Sequence, residues 1–195
     1  MQAARGNPRL SVGILGGTFD PVHNAHLAMA RAALDELDLD RLLFMPTGLP
    51  RYRTPAVASG AQRVEMLSLA VADEPRFEID ARELAPGASG YTVDTLRELR
   101  LELGAETPLW LLMGADQYGK LDSWHRPHDV RKLASIAVFA RPGFRLSDAK
   151  VKTIPFEPMD ISASQVRERV ARGEDISALV PPAVANYVTR HGLYA

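Results

Sequence analysis

GILGGTFDPVHNAH occupies residues 13–26 and runs straight on into LAMARAALDEL. Leu10, Val12, Ile14 and Leu15 make a brief apolar run ending in Gly16-Gly17, the pattern of a buried parallel strand entering a tight turn. Paired glycines leave room for a ligand against the backbone and admit dihedral angles that other residues avoid. Asp20-Pro21 marks a turn, and from Leu27 the apolar Ala30, Leu34 and Leu37 recur at helical spacing. His23 and His26 stand three apart, so the first turn of that helix carries both on one face. A helix N-terminus has partial positive charge and unpaired N–H groups, which suits phosphate. Imidazole donors beside it add hydrogen bonds that strengthen as a phosphoryl group gains charge. Taken singly, each feature is weaker: a glycine pair says only tight βα turn, and one helical histidine is more often structural than catalytic. The chain has no cysteine and no third ligand at the usual spacing, so a metal held by these histidines is not indicated.

Working outward, residues 41–47 (RLLFMPT) read as a second strand and residues 48–60 as a long loop rich in Gly, Pro, Arg and Ser. Such length in a βα connection points to a functional role. Residues 61–72 form an amphipathic helix, residues 77–79 a short strand, and a glycine-rich loop at 86–90 leads through Tyr91-Thr92 into a helix ending at Leu103. A strongly apolar strand at 108–113 ends at Gly114; a helix at 130–133, strands at 135–140 and 151–156, and helices at 164–172 and 182–191 complete the chain. Strands alternating with helices imply a parallel sheet covered on both faces, a single-domain, Rossmann-like α/β fold over residues 10–195. Residues 1–9 are expected to be a disordered extension. In such a sheet ligands bind beyond the carboxyl ends of the strands, here residues 16–26, 47–53, 114–124 and the segment before Ser164.

Composition narrows the class further. At 195 residues, 46% hydrophobic and 24% charged, with a net charge of −1, the chain can bury a proper core. It offers no general attraction to nucleic acid or membrane. The absence of cysteine is compatible with a reducing compartment, MQAARGNPR lacks the apolar stretch of a signal peptide, and the longest apolar runs are too short to span a bilayer. A soluble, cytoplasmic protein is expected.

Residues 160–169 (DISASQVRER) begin a second phosphate-suited helix. Ser162 with Gln165 fits a capping box, and Arg167 falls one turn in, on the side of Ser164. Free amides, a hydroxyl and a guanidinium together suit a polyphosphate, although the segment alone also reads as an ordinary capped surface helix.

GGTFDPVHxxH resembles the N-terminal signature of the nucleotidylyltransferase superfamily, with Ala25 where that signature has glycine. ISASxxR resembles its second signature, which holds the outer phosphates of a nucleoside triphosphate. AQRVEML, GYTVDTL, GADxxxxxxxW, ARPG and HGLY extend the likeness to the bacterial nicotinate-nucleotide adenylyltransferase family over almost the whole chain. The resemblance implies transfer of AMP from ATP to nicotinate mononucleotide, giving deamido-NAD and pyrophosphate in NAD biosynthesis. It implies catalytic roles for His23, His26 and Arg167. It implies ATP contacts from Gly16, Gly17, Thr18, Phe19, Gly114, Asp116 (to ribose), Ile161, Ser162 and Ser164, besides the three catalytic residues. Nicotinate mononucleotide would be met by Thr18, Arg53, Tyr91, Thr92 and Trp124, with Thr92 and nearby amides on the carboxylate and Trp124 against the pyridine ring. Mg2+ would be carried mainly on the ATP phosphates, with no protein ligand set; neither nucleic acid nor membrane is a partner, and a homo-oligomer is allowed. Without the resemblance, Thr92 reads as a helix cap and Trp124 as a core or lid aromatic. One departure is Pro50-Arg51-Tyr52-Arg53, where tyrosine stands at the family's histidine. The alternatives are another phosphate acceptor within the superfamily or a non-catalytic nucleotide sensor.

Overall fold

The computed structural model describes residues 10–48, 55–140 and 148–195. The expected extension over residues 1–9, and Arg53 with its neighbours, lie outside the described residues. Six strands, β1 (Val12–Gly17), β2 (Arg41–Pro46), β3 (Phe77–Ile79), β4 (Leu109–Gly114), β5 (Ser135–Ala140) and β6 (Lys152–Pro155), form one sheet in the order β3-β2-β1-β4-β5-β6. Every pairing is parallel.

Because the side chains of a strand alternate between faces, the in-register pairing of Ile14 with Leu43 and Leu111 stacks one apolar face. Val12, Ile14, Leu43, Met45, Leu111, Met113, Ile136 and Val138 lie there, packed with Val93, Leu96 and Leu99 of helix α3 (Thr92–Leu103) and Val130 of α5 (Pro127–Leu133). Leu15, Leu42, Phe44, Leu112, Phe139 and Ile154 take the opposite face. Helices α1 (Asn24–Glu36), α2 (Gly60–Val71), α6 (Ala163–Ala171) and α7 (Pro182–Arg190) cover that face through residues such as Leu34, Met66, Val166 and Val184. The expected Rossmann-like sheet, covered on both faces, is therefore present. Its strand order reverses between β1 and β4, and that switch point opens the crevice in which such sheets bind ligands.

Several boundaries shift. The first helix starts at Asn24, with His23 in the cap position and not inside the first turn. Tyr91, not Thr92, caps α3, and Thr92 is its first residue. The last strand contracts from 151–156 to Lys152–Pro155. A four-residue helix α4 (Ala115–Tyr118) and single 3-10 turns at Arg82–Leu84 and Leu121–Ser123 are too short to leave a hydrophobic period in the sequence. Among the described residues no helix is long and apolar enough to cross a membrane.

Candidate active site at the β1 switch point

The turn after β1 is built differently from the sequence reading. Neither Gly16 nor Gly17 has a positive φ; that conformation belongs to Phe19, at φ 50. Phe19 thereby folds its ring, 2% exposed, back over the strand end. A Cβ on Gly17 would stand 2.8 Å from that ring, whereas one on Gly16 would meet nothing within 4 Å. Gly17 is thus required by Phe19, and only Gly16 presents open backbone. Beneath the turn, the buried guanidinium of Arg63 on α2 donates through Nη1 to the carbonyl oxygens of Thr18 (2.7 Å) and Thr47 (3.0 Å). It joins the ends of β1 and β2 and satisfies two carbonyls that the turn would otherwise strand.

The two histidines form one unit. His23 N–H donates to His26 Nδ1 at 3.2 Å, closing the N-terminus of α1 much as a capping-box glutamine does. Their rings stack at 3.6 Å with planes 23° apart, and Phe19 meets the His26 ring edge-on at 4.9 Å. With Nδ1 accepting, the neutral His26 ring carries its proton on Nε2. Burial pushes His23 down to about 4, and burial with the facing His23 pushes His26 well below its ordinary value. Both imidazoles are therefore neutral near pH 7, and His26 holds a fixed N–H donor.

Asp20, 3% exposed, is the polar centre beside them. Its carboxylate accepts from Val57 N–H (2.7 Å), Ala58 N–H (3.0 Å) and the Tyr194 hydroxyl (2.7 Å). The capping box expected at α6 is present, with Gln165 N–H donating to Ser162 Oγ at 3.2 Å and Ser162 N–H to Gln165 Oε1 at 3.4 Å. One turn on, Arg167 donates through Nη1 to the Asp20 carbonyl oxygen (2.7 Å) and through Nη2 to Ser164 Oγ (3.1 Å).

Two cavities meet at this turn. The first, of about 780 Å3, is lined by Gly16, Gly17, Thr18, Phe19, His23, His26, Gly114, Asp116, Ile161 and Ser162, with Ala25 in its wall and Phe139 and Phe156 giving it an aromatic side. The second, of about 890 Å3, is lined by Tyr91, Thr92, Trp124, Lys120, Glu83 and Thr95. Gly16, Gly17 and Gln117 belong to both. The expected nucleotide residues other than Ser164 and Arg167 thus gather in one cavity, and Tyr91, Thr92 and Trp124 in the other. Thr18 is on the first side alone; Ser164 and Arg167 line neither cavity, Arg167 being tied to Ser164 and to Asp20. Arg53 falls outside the described residues.

Read from the sequence, Asp20 marks only a turn and Arg63, Tyr194 and Glu83 have no role, although GGTFDPVHxxH, AQRVEML and HGLY mark the first three as family-like. Glu83 lies against the second cavity, where burial raises its carboxyl above the usual range while Thr95 Oγ1 donates to it at 2.8 Å. Gly48 is glycine because a Cβ there would collide with the Glu83 carbonyl oxygen.

The doubly wound sheet thus sets a histidine-capped helix at its switch point, between two adjoining cavities. Residues 14–169 match the family model described as cytidylyltransferase-like. The chain is 41% identical to a protein of Laribacter hongkongensis described as a probable nicotinate-nucleotide adenylyltransferase, over 96% of each chain. It is also 41% identical to one so described from Chromobacterium violaceum, over 94% of this chain and 98% of that one. The fold is shared with the Plasmodium falciparum nicotinic acid mononucleotide adenylyltransferase solved with NaAD, at a TM-score of 0.73 and 17% identity, over 94% of this chain and 97% of that one. The chain belongs to the nicotinate-nucleotide adenylyltransferase family of the cytidylyltransferase-like proteins.

Proposed function

We propose that the enzyme transfers AMP from ATP to nicotinate mononucleotide across the Gly16-Gly17 turn, releasing deamido-NAD and pyrophosphate. The junction of the two cavities at that turn, with His26 beside it, is the observation that carries this reading. ATP occupies the cavity of Thr18, Phe19, Gly114, Asp116, Ile161 and Ser162. The acceptor occupies the other, its pyridine ring against Trp124 and Tyr91 and its carboxylate at Thr92 and the amides at the start of α3.

A phosphate monoester oxygen of the acceptor attacks the α-phosphorus of ATP, and the bond to the bridging oxygen of pyrophosphate breaks. The attacking phosphate is already ionised near pH 7, so no general base is required and the protein acts by positioning and charge stabilisation. His26 Nε2–H donates to the α-phosphate oxygen as charge builds there, held in place by Phe19, His23 and the His23 amide. Ser162, Ser164 and Arg167 hold the departing phosphates.

Mg2+ would be carried by the triphosphate, since the Asp20 carboxylate beside the turn is already occupied by three donors. When bound it would neutralise phosphate charge. Membership of this family supports a cytoplasmic enzyme.

Pyrophosphate release with ATP and Mg2+, offering nicotinate mononucleotide and nicotinamide mononucleotide in parallel, tests the reading. A large preference for the acid is expected. Equal use would discard the carboxylate site at Thr92, and no release with either would discard the reaction.

A further inference from the structure

We propose that Asp20 is a positioning residue that holds Arg167 ready for the triphosphate, and that Tyr194 keeps Asp20 in place. The proposal rests on the reading of Arg167 as a phosphate ligand and extends it to residues that touch neither substrate. A carboxylate 3% exposed must be paired or fully hydrogen-bonded, and Asp20 meets this with three donors from two distant parts of the chain. Val57 and Ala58 supply amides from the segment before α2, and Tyr194 supplies its hydroxyl from 174 positions away. Burial and the Asp20 carboxylate raise Tyr194 above its ordinary value, so the hydroxyl keeps its proton and donates.

Fixing the carboxylate fixes the peptide that bears it. Arg167 Nη1 takes the carbonyl oxygen of this peptide at 2.7 Å and stands 4.0 Å from the carboxylate, while Nη2 takes Ser164 Oγ at 3.1 Å. Two anchors on separate nitrogens set the plane of a guanidinium that has five N–H donors, and its remaining donors serve an anion. The ordering of a long side chain is then complete before substrate arrives, which is the general advantage of a preorganised site. The 37-residue separation of Asp20 from Val57 ties the same peptide to the segment entering α2, so one buried carboxylate joins three elements around the nucleotide turn.

The test is a double-mutant cycle on pyrophosphate release in the full chain, using Tyr194→Phe and Arg167→Ala. Tyr194→Phe removes one oxygen and keeps the ring. It is expected to lower kcat/KM for ATP roughly tenfold, the scale of one hydrogen bond to a charged group, with KM for the acceptor unchanged. In the Arg167→Ala background the same substitution is expected to change kcat/KM by less than about twofold. Asp20→Asn should follow the same pattern, and if it fails to fold the Tyr194 cycle decides alone. A wild-type kcat/KM for Tyr194→Phe overturns the proposal. So does a loss that multiplies unchanged onto that of Arg167→Ala, since Tyr194 would then act independently of the arginine. A wild-type rate for Arg167→Ala itself removes the phosphate-ligand reading, and the proposal with it.

Discussion

Replacing His23 by asparagine should flatten the acid side of the stability curve. Burial lowers His23 from 6.5 to about 4, so as pH falls the unfolded chain takes up the proton first. The unfolded state then binds more protons than the native one, and stability decreases with falling pH. The contribution is fully present above pH 6.5 and is lost progressively as pH falls toward 4. Between pH 7.5 and pH 4.5 the linkage amounts to about 2–3 kcal/mol, at about 1.4 kcal/mol for each pKa unit. His26, lowered by burial and by the facing His23 ring, adds to the slope in the same direction. Urea unfolding of the ligand-free protein at a series of pH values measures this directly. The wild type should lose about 2 kcal/mol more than His23→Asn over the window, whatever the offset between the two at pH 7.5. Parallel curves would show that His23 titrates alike in both states, and the account of two neutral, stacked imidazoles would be wrong.

His26→Ala should lower kcat by roughly 10²–10³, the cost of losing one donor to a charge developing in the transition state, while ATP affinity changes little; steady-state kinetics decide, and near-normal turnover removes His26 from the mechanism. Gly17→Ala should destabilise the fold by about 1–3 kcal/mol through its clash with Phe19, visible as a lower urea midpoint, while Gly16→Ala, with open space around it, should leave stability nearly unchanged and weaken substrate binding instead. Arg63→Met should cost about 3 kcal/mol, since it abandons the Thr18 and Thr47 carbonyls in a buried setting; equilibrium unfolding tests this, and a shift under 1 kcal/mol would refute it. Trp124→Ala should raise KM for the acceptor about tenfold and leave KM for ATP unchanged, as loss of an aromatic face predicts.

What the sequence disclosed follows from the range of the interactions. Ile14 and Leu15 announce a buried strand because alternate residues serve the two faces of a covered sheet, and Ser162 with Gln165 announces a cap because its bonds span three residues. Neighbours in space were invisible where they are distant in sequence. Nothing near Asp20 signals that Val57, Ala58 and Tyr194 converge on it, and nothing near Arg63 signals the Thr18 and Thr47 carbonyls. The glycine pair is legible as a turn, but its two members differ in cause: Gly16 has open space around it, whereas the folded-back ring of Phe19 explains Gly17. His26 lies in the first turn as its spacing implies, but His23 stands just outside the helix as its cap. A His23–His26 pair mimics a capping box only through its rings, which no propensity encodes.

The most direct test of transfer across the turn is the stereochemical course at the α-phosphorus, followed with ATP carrying a chiral phosphorothioate at that position. A single in-line displacement by the acceptor phosphate, with His26 as a donor and never a nucleophile, predicts inversion. Retention would require two displacements and an adenylylated enzyme, and would contradict the account.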